Sequence, residues 1–248
     1  MKKLPEITLL FWCLKICATT LGETAGDLLS MSLNIGYATS SVVLFGVFLI
    51  TLIAQLTVKQ YIPPIYWAVI LATSTVGTTL SDYMDRTLGL GYATGSLILA
   101  SLLGLTLLVW RKVEGSLSVT DIRTKRNELF YWAAILCSNT LGTALGDYLA
   151  DSSGLGFAGG AVLIAGVLLA VVLAHYFTRI PAVFLFWIAF VLTRPFGATF
   201  GDLLTKANEK GGLNLGTQGS SLVLFVLLVG MVVYATRKAA AQPPSVST

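Results

Sequence analysis

Charge is what this sequence has least of. Charged residues make up 11% of its 248, whereas a soluble domain carries about 25%. So few charges cannot cover a water-facing surface. With 55% hydrophobic residues and a mean hydropathy of +0.81, a soluble enzyme, a nucleic-acid-binding module and a disordered chain are all excluded. Histidine is nearly absent as well. His175 ends an apolar run beside Tyr176 and Arg179, so an interfacial position is expected, and histidine metal chemistry has no second ligand to recruit. The three cysteines, Cys13, Cys17 and Cys137, lie in apolar stretches and form no disulfide framework. Cys13 and Cys17 share a helix face, which suits core packing or, alternatively, a soft-metal pair. There is no P-loop, G-x-S-x-G or H-E-x-x-H, so neither ATP-driven nor hydrolase chemistry has a motif, and no enzymatic activity is expected.

What the chain has is a repeat. Trp12, Trp67, Trp132 and Trp187 are each followed ten residues later by Gly22, Gly77, Gly142 and Gly197. Five residues further come Asp27, Asp82, Asp147 and Asp202. Nine residues after the aspartate, three copies reach a glycine turn, at 34–41, 89–96 and 154–161; the fourth, at 214–221, arrives five residues late, after an insertion in 205–212. Tryptophan spacings of 55, 65 and 55 divide the chain into two tandem halves, 1–110 and 129–236. Between them lies a basic linker, 111–128, and after them a polar tail, 237–248, expected to be disordered.

Each copy holds two apolar stretches near the roughly 20 residues that span a bilayer core. The expected spans are 7–29, 38–57, 64–84, 92–110, 128–149, 158–177, 182–204 and 217–236. The first carries the repeat signature and no small-residue cleavage site, so it reads as a mature span rather than a signal peptide. Basic residues fall unevenly. Eleven lie on the side of the N-terminus, the central linker and the tail, against Arg86, Lys206 and Lys210 on the other. The positive-inside rule then places both termini in the cytoplasm and accounts for the net charge of +4. The four tryptophans are expected at the membrane interface. The expected fold is an all-α integral membrane protein: eight transmembrane helices as four parallel two-helix repeats, pseudo-symmetric about the membrane normal.

Over residues 7–236 this signature resembles a bacterial family of membrane proteins built from four tandem repeats, each with two spans and one tryptophan. That family has no known function. The resemblance implies the fold and a bacterial inner-membrane location, and leaves the mechanism to the residues.

On a helix, positions four and seven before each aspartate share its face. They are Glu23 and Thr20 for Asp27, Thr78 and Thr75 for Asp82, and Thr143 and Thr140 for Asp147. A hydroxyl stripe leading to a carboxylate suits a hard cation or a proton. Asp27, Glu23 and Asp147 are the expected metal ligands, the metal being cargo rather than cofactor. Gly22 and Gly26, Gly142 and Gly146, and Gly197 and Gly201 are spaced as G-xxx-G, with Gly77 and Ser81 as the small-residue equivalent. Such spacing lets helices approach closely in lipid. Each aspartate stands about 22 Å along its helix from the tryptophan, in the outer half of the membrane. Lys15 and Arg194 interrupt apolar or neutral positions of the other copies and are expected to pair with the carboxylates. Asp85 and Asp151 read as solvated loop residues.

The leading expectation is an ion-coupled secondary transporter that exchanges a small cation, such as manganese, against protons. Alternatives are a cation channel with a carboxylate ring, an organic-anion transporter gripping its cargo with Lys15 and Arg194, or a membrane scaffold or sensor whose basic linker binds a partner or anionic lipid. Expected partners are the bilayer, a small cation or proton, and a second copy in a homo-oligomer, with no nucleic acid.

Overall fold

The computed structural model describes residues 3–122 and 124–241. Eight helices dominate it: α1 (Leu9–Asp27), α2 (Tyr37–Thr57), α3 (Pro63–Asp82), α4 (Tyr92–Glu114), α5 (Lys125–Asp147), α6 (Gly156–Phe177), α7 (Ala182–Thr205) and α8 (Thr217–Ala241). Thr8 caps α1 and Thr124 caps α5, each accepting a backbone N–H three residues on. Pro63 opens α3, where its missing N–H costs nothing.

The odd-numbered helices carry the signature and form a closed inner ring, α1 on α3, α3 on α5, α5 on α7 and α7 back on α1. Each even-numbered helix packs outside the signature helix of the following repeat: α2 on α3, α4 on α5, α6 on α7, and α8 on α1. This one-repeat offset closes the ring on itself. All four inner helices run the same way.

Polarity is distributed inside out. The outer helices are the most apolar, with hydropathy 1.9–2.6, yet only 17–22% of their spanning windows is buried. Val42, Ile50 and Val162 are each at least 70% exposed. A belt of this kind is untenable in water and suits lipid. Six helices, α2 and α4 to α8, are long and apolar enough to cross a membrane. Inner helices α1 and α3 fall short of that composition because threonine, serine and, in α1, Lys15, Glu23 and Asp27 replace apolar residues. Their polar groups are nonetheless buried in the bundle.

A π-helical turn follows the aspartate in copies one to three, at Leu28–Ser32, Tyr83–Thr87 and Tyr148–Ser152. The glycine turn comes next. Its first residue is Asn34, Gly89, Gly154 or Asn214 and its third is Gly36, Gly91, Gly156 or Gly216; all eight have positive φ. Asparagine tolerates the left-handed region, and Gly36, at φ 81 and ψ 157, occupies one that only glycine enters readily. In the fourth copy the insertion folds back instead, with Leu213 and Leu215 donating backbone hydrogen bonds to Leu203 and Leu204.

Two expected boundaries move. The linker shrinks, because α4 runs on to Glu114 and α5 starts at Lys125. Its middle is no solvated strap: Val119 and Ile122 are buried, and the Leu117 carbonyl accepts from Trp187 Nε1 at 3.1 Å. The expected tail is helical as far as Ala241, since Arg237, Lys238 and the alanines are strong helix formers. Residues 242–248 of that tail, with Lys2 and Arg123, lie outside the described residues. The tryptophans are also not an interfacial belt. Trp67, Trp132 and Trp187 are at most 5% exposed, Trp12 partly buried, and they join Phe11, Tyr66, Tyr131 and Phe186 in one aromatic cluster. Ring closure buries the ends of helices that, taken singly, would have been interfacial.

Candidate functional site

The ring encloses an axis, and each inner helix lines it with residues four apart. Nearest the tryptophans are Phe11, Tyr66, Tyr131 and Phe186. Next come Lys15, Ile70, Ile135 and Phe190, then Thr19, Ser74, Asn139 and Arg194, then Glu23, Thr78, Thr143 and Ala198. The aspartates Asp27, Asp82, Asp147 and Asp202 close the series. All twenty are buried. The four-residue spacing follows from the glycines. Gly22 packs on Ser74, Gly77 on Asn139, Gly142 on Arg194 and Gly197 on Thr19, so each glycine meets the residue three before the next repeat's glycine. Where small residues let helices cross this closely, the i±4 ridge is what faces inward.

The four aspartates converge, in two pairs. Arg86 Nε lies 3.0 Å from Asp82 Oδ1 and its Nη2 3.1 Å from Asp147 Oδ2. Lys206 Nζ lies 2.5 Å from Asp27 Oδ2 and 3.1 Å from Asp202 Oδ1. Burial works against charge on Arg86 and Lys206, but Asp82 and Asp147 at the one, and Asp202 and Asp27 at the other, more than offset it and raise both pKa values. Each cation sits four residues after the aspartate of an even-numbered copy, and each bridge crosses the seam between the two halves. In the sequence both read as loop charges. Their only signal was this i,i+4 position, shared by copies two and four.

Deeper on the axis, Arg194 is fully buried and its Nη1 donates to Glu23 Oε2 at 2.9 Å. Its Nη2 donates to Thr78 Oγ1 at 2.5 Å and Thr143 Oγ1 at 2.7 Å. The expected pairing of Arg194 with a carboxylate is therefore present. That of Lys15 is not: its Nζ donates to Asn139 Oδ1 at 3.1 Å and lies 4.1 Å from the Phe190 ring centre. Lys15 stands two turns below Glu23, and Arg194 has taken that carboxylate.

The expected stripe divides. Thr78 and Thr143 reach the axis, whereas Thr20, Thr75 and Thr140 bond back to their own helices, at the carbonyls of Ile16, Leu71 and Leu136. They lie one position off the i±4 ridge. The carboxylate trio also changes. Oxygens of Glu23, Asp147 and Asp202 lie within 4.8 Å of one another, so Asp202 stands in the trio where Asp27 was expected, and Lys206 bridges the two. Asp85 is buried rather than solvated, near Gly95 and bonded by Ser81 Oγ at 3.4 Å, while Asp151 is exposed. Cys13 is exposed and Cys17 is buried with its Sγ donating to the Leu224 carbonyl, which is packing rather than a paired site.

No curated protein and no solved structure matches this chain. One family model, described as Repeat of Unknown Function (DUF347), matches it four times, at residues 10–61, 65–116, 130–180 and 185–240. Each match covers one inner helix and the outer helix after it, and the chain belongs to this repeat family.

Proposed function

We propose that this chain is a secondary carrier for a small hard cation, exchanged against protons, with all eight helices crossing a bacterial inner membrane. The ring axis lies along the membrane normal, with the aromatic end and both termini on the cytoplasmic side. The observation that carries the reading is the meeting of Glu23, Asp147 and Asp202 from three different helices, with oxygens within 4.8 Å of one another. Each of the three is paired with a cation of the protein, Glu23 with Arg194, Asp147 with Arg86 and Asp202 with Lys206, and a cargo cation or protons take the place of these partners during transport. Thr78 and Thr143 add neutral oxygens beside Glu23, at 3.3 Å each. Such a set suits a divalent cation such as Mn²⁺ better than a soft metal. Protons compete with it for the same carboxylates.

A carrier fits better than a channel because the axis is blocked twice. Tyr66 and Tyr131 hydroxyls meet at 2.6 Å in the aromatic layer, and Arg194 crosses the axis above them. An organic-anion carrier fits less well, since Glu23, Thr78 and Thr143 already take the Arg194 donors. The bridges of Arg86 and Lys206 form the gate at the aspartate end. Both tie one half of the chain to the other, so the halves separate there only when both bridges open.

The test is flux in proteoliposomes holding a Mn²⁺-quenched dye and a pH dye. Saturable Mn²⁺ entry with opposing proton movement, lost in Asp147→Asn and Asp202→Asn, is the expected result. A folded, inserted wild type that moves neither ion refutes the reading.

A further inference from the structure

We infer that the oxygen cage around Arg194 is the inner part of the cargo site, sharing Glu23 with the carboxylate trio, and that the Arg194 guanidinium is its tethered occupant whenever no cargo cation is bound. This rests on the carrier reading and assigns the charge that neutralises Glu23 in the empty carrier.

A buried carboxylate cannot be left uncompensated in a low-dielectric bundle. A carrier that returns empty must therefore neutralise its site by some means other than cargo. Here the means is a side chain. Three helices supply the oxygens: Glu23 Oε2 from α1, Thr78 Oγ1 and the Ser74 carbonyl from α3, and Thr143 Oγ1 from α5. The fourth helix, α7, supplies the cation. Carboxylate, hydroxyl and carbonyl oxygens are also what hard cations take as ligands.

The surroundings fit a displaceable occupant. In the Glu23 layer the fourth position is Ala198, whose side chain offers no oxygen. Gly142 has no Cβ where one would collide with the Arg194 stem. Two buried polar atoms at this level, Arg194 Nε and Ser74 Oγ, have no hydrogen-bond partner among the described residues. Orphaned polar atoms of this kind mark incomplete satisfaction, so the seated guanidinium does not satisfy every polar group around it. Pro195 follows Arg194 inside α7. It cannot donate to the carbonyl four residues back and clashes with it, so α7 bends most easily beside Arg194. A cation settling among Glu23, Asp147 and Asp202 takes the Glu23 charge, and the guanidinium swings away with that bend. When the cargo leaves, Arg194 returns to Glu23, and protons on the aspartates neutralise the remainder.

The test separates two modes of radiolabelled Mn²⁺ movement in proteoliposomes: net uptake into empty vesicles, and exchange into vesicles preloaded with Mn²⁺. Wild type is expected to do both. Arg194→Gln leaves the empty carrier uncompensated, so net uptake falls about tenfold or more while exchange, whose carrier is never empty, stays within about threefold. Arg194→Lys restores part of the net uptake. If Arg194→Gln does not insert, Arg194→Lys by itself, which keeps the charge but loses the paired grip on Thr78 and Thr143, shows the same split in smaller degree. Net uptake and exchange that change together, both kept or both lost, overturn the inference, because a structural role for Arg194 would not separate them. A wild type inert in both modes instead refutes the carrier reading itself.

Discussion

Replacing Gly22 with alanine asks whether the inner ring depends on backbone contact. A methyl at Gly22 would run into Ser74, standing 3.0 Å from its carbonyl carbon and 3.2 Å from its Cα. At Gly77 it would lie 3.0 Å from both the Asn139 carbonyl carbon and the Thr140 nitrogen, and at Gly197 2.9 Å from the Thr19 carbonyl carbon. The obstruction in each case includes backbone, and at Gly22 and Gly197 also a Cβ that no rotation moves, so relief requires a helix to shift. Overpacking of this kind costs about 1–3 kcal/mol. The outer helices provide the control. Gly46, Gly104, Gly166 and Gly230 have nothing within 4 Å of an added Cβ. Alanine there is expected to stabilise by about 0.5–1 kcal/mol through helix propensity alone. At roughly 2–4 °C per kcal/mol for a chain of this size, the two sets should move in opposite directions when thermal unfolding is followed in detergent by tryptophan fluorescence. Inner glycines that accept alanine as readily as the outer ones would refute the ring packing.

Other consequences can be measured independently. Arg86→Gln and Lys206→Gln each leave two buried aspartates without their cation; a loss of about 3–5 kcal/mol is expected for each, read by thermal unfolding. The bridges meet in one charge cluster, with Asp147 and Asp202 oxygens within 4.8 Å, so the double variant should depart measurably from the sum of the two. Lys15→Met exchanges a buried amine that has no carboxylate for an apolar chain of similar shape, and its unfolding temperature should stay level or rise. Orientation is read with a membrane-impermeant thiol reagent in a Cys13→Ala background. Leu90→Cys should be labelled from outside intact cells and Ser116→Cys only after lysis.

Much of the architecture was legible because the repeat spacing is strict. Trp, Gly and Asp recur at fixed offsets, and the helices fall close to the apolar stretches that follow from them. Glu23, Thr78 and Thr143 were legible for the same reason, four residues before their aspartates. Thr20, Thr75 and Thr140 misled because an isolated helix places positions four and seven on one face, whereas close crossing at the glycines turns only the i±4 ridge inward. Trp67 and Trp132 misled because hydropathy cannot separate a lipid interface from the buried end of a bundle. The bridges were not legible at all as bridges. That Arg86 reaches Asp147, and Lys206 reaches Asp27, depends on ring order and on α7 closing against α1, which no single segment encodes.

The most direct measurement of the central claim is the position of a bound cation. Crystals of the wild type grown with Mn²⁺, with diffraction recorded at the manganese absorption edge, would locate the ion by its anomalous signal. A peak is expected on the axis, within ligand distance of Glu23, Asp147 and Asp202 and with Arg194 drawn away from Glu23. Saturating Mn²⁺ that leaves the axis without a peak and Arg194 still seated on Glu23 would contradict that claim.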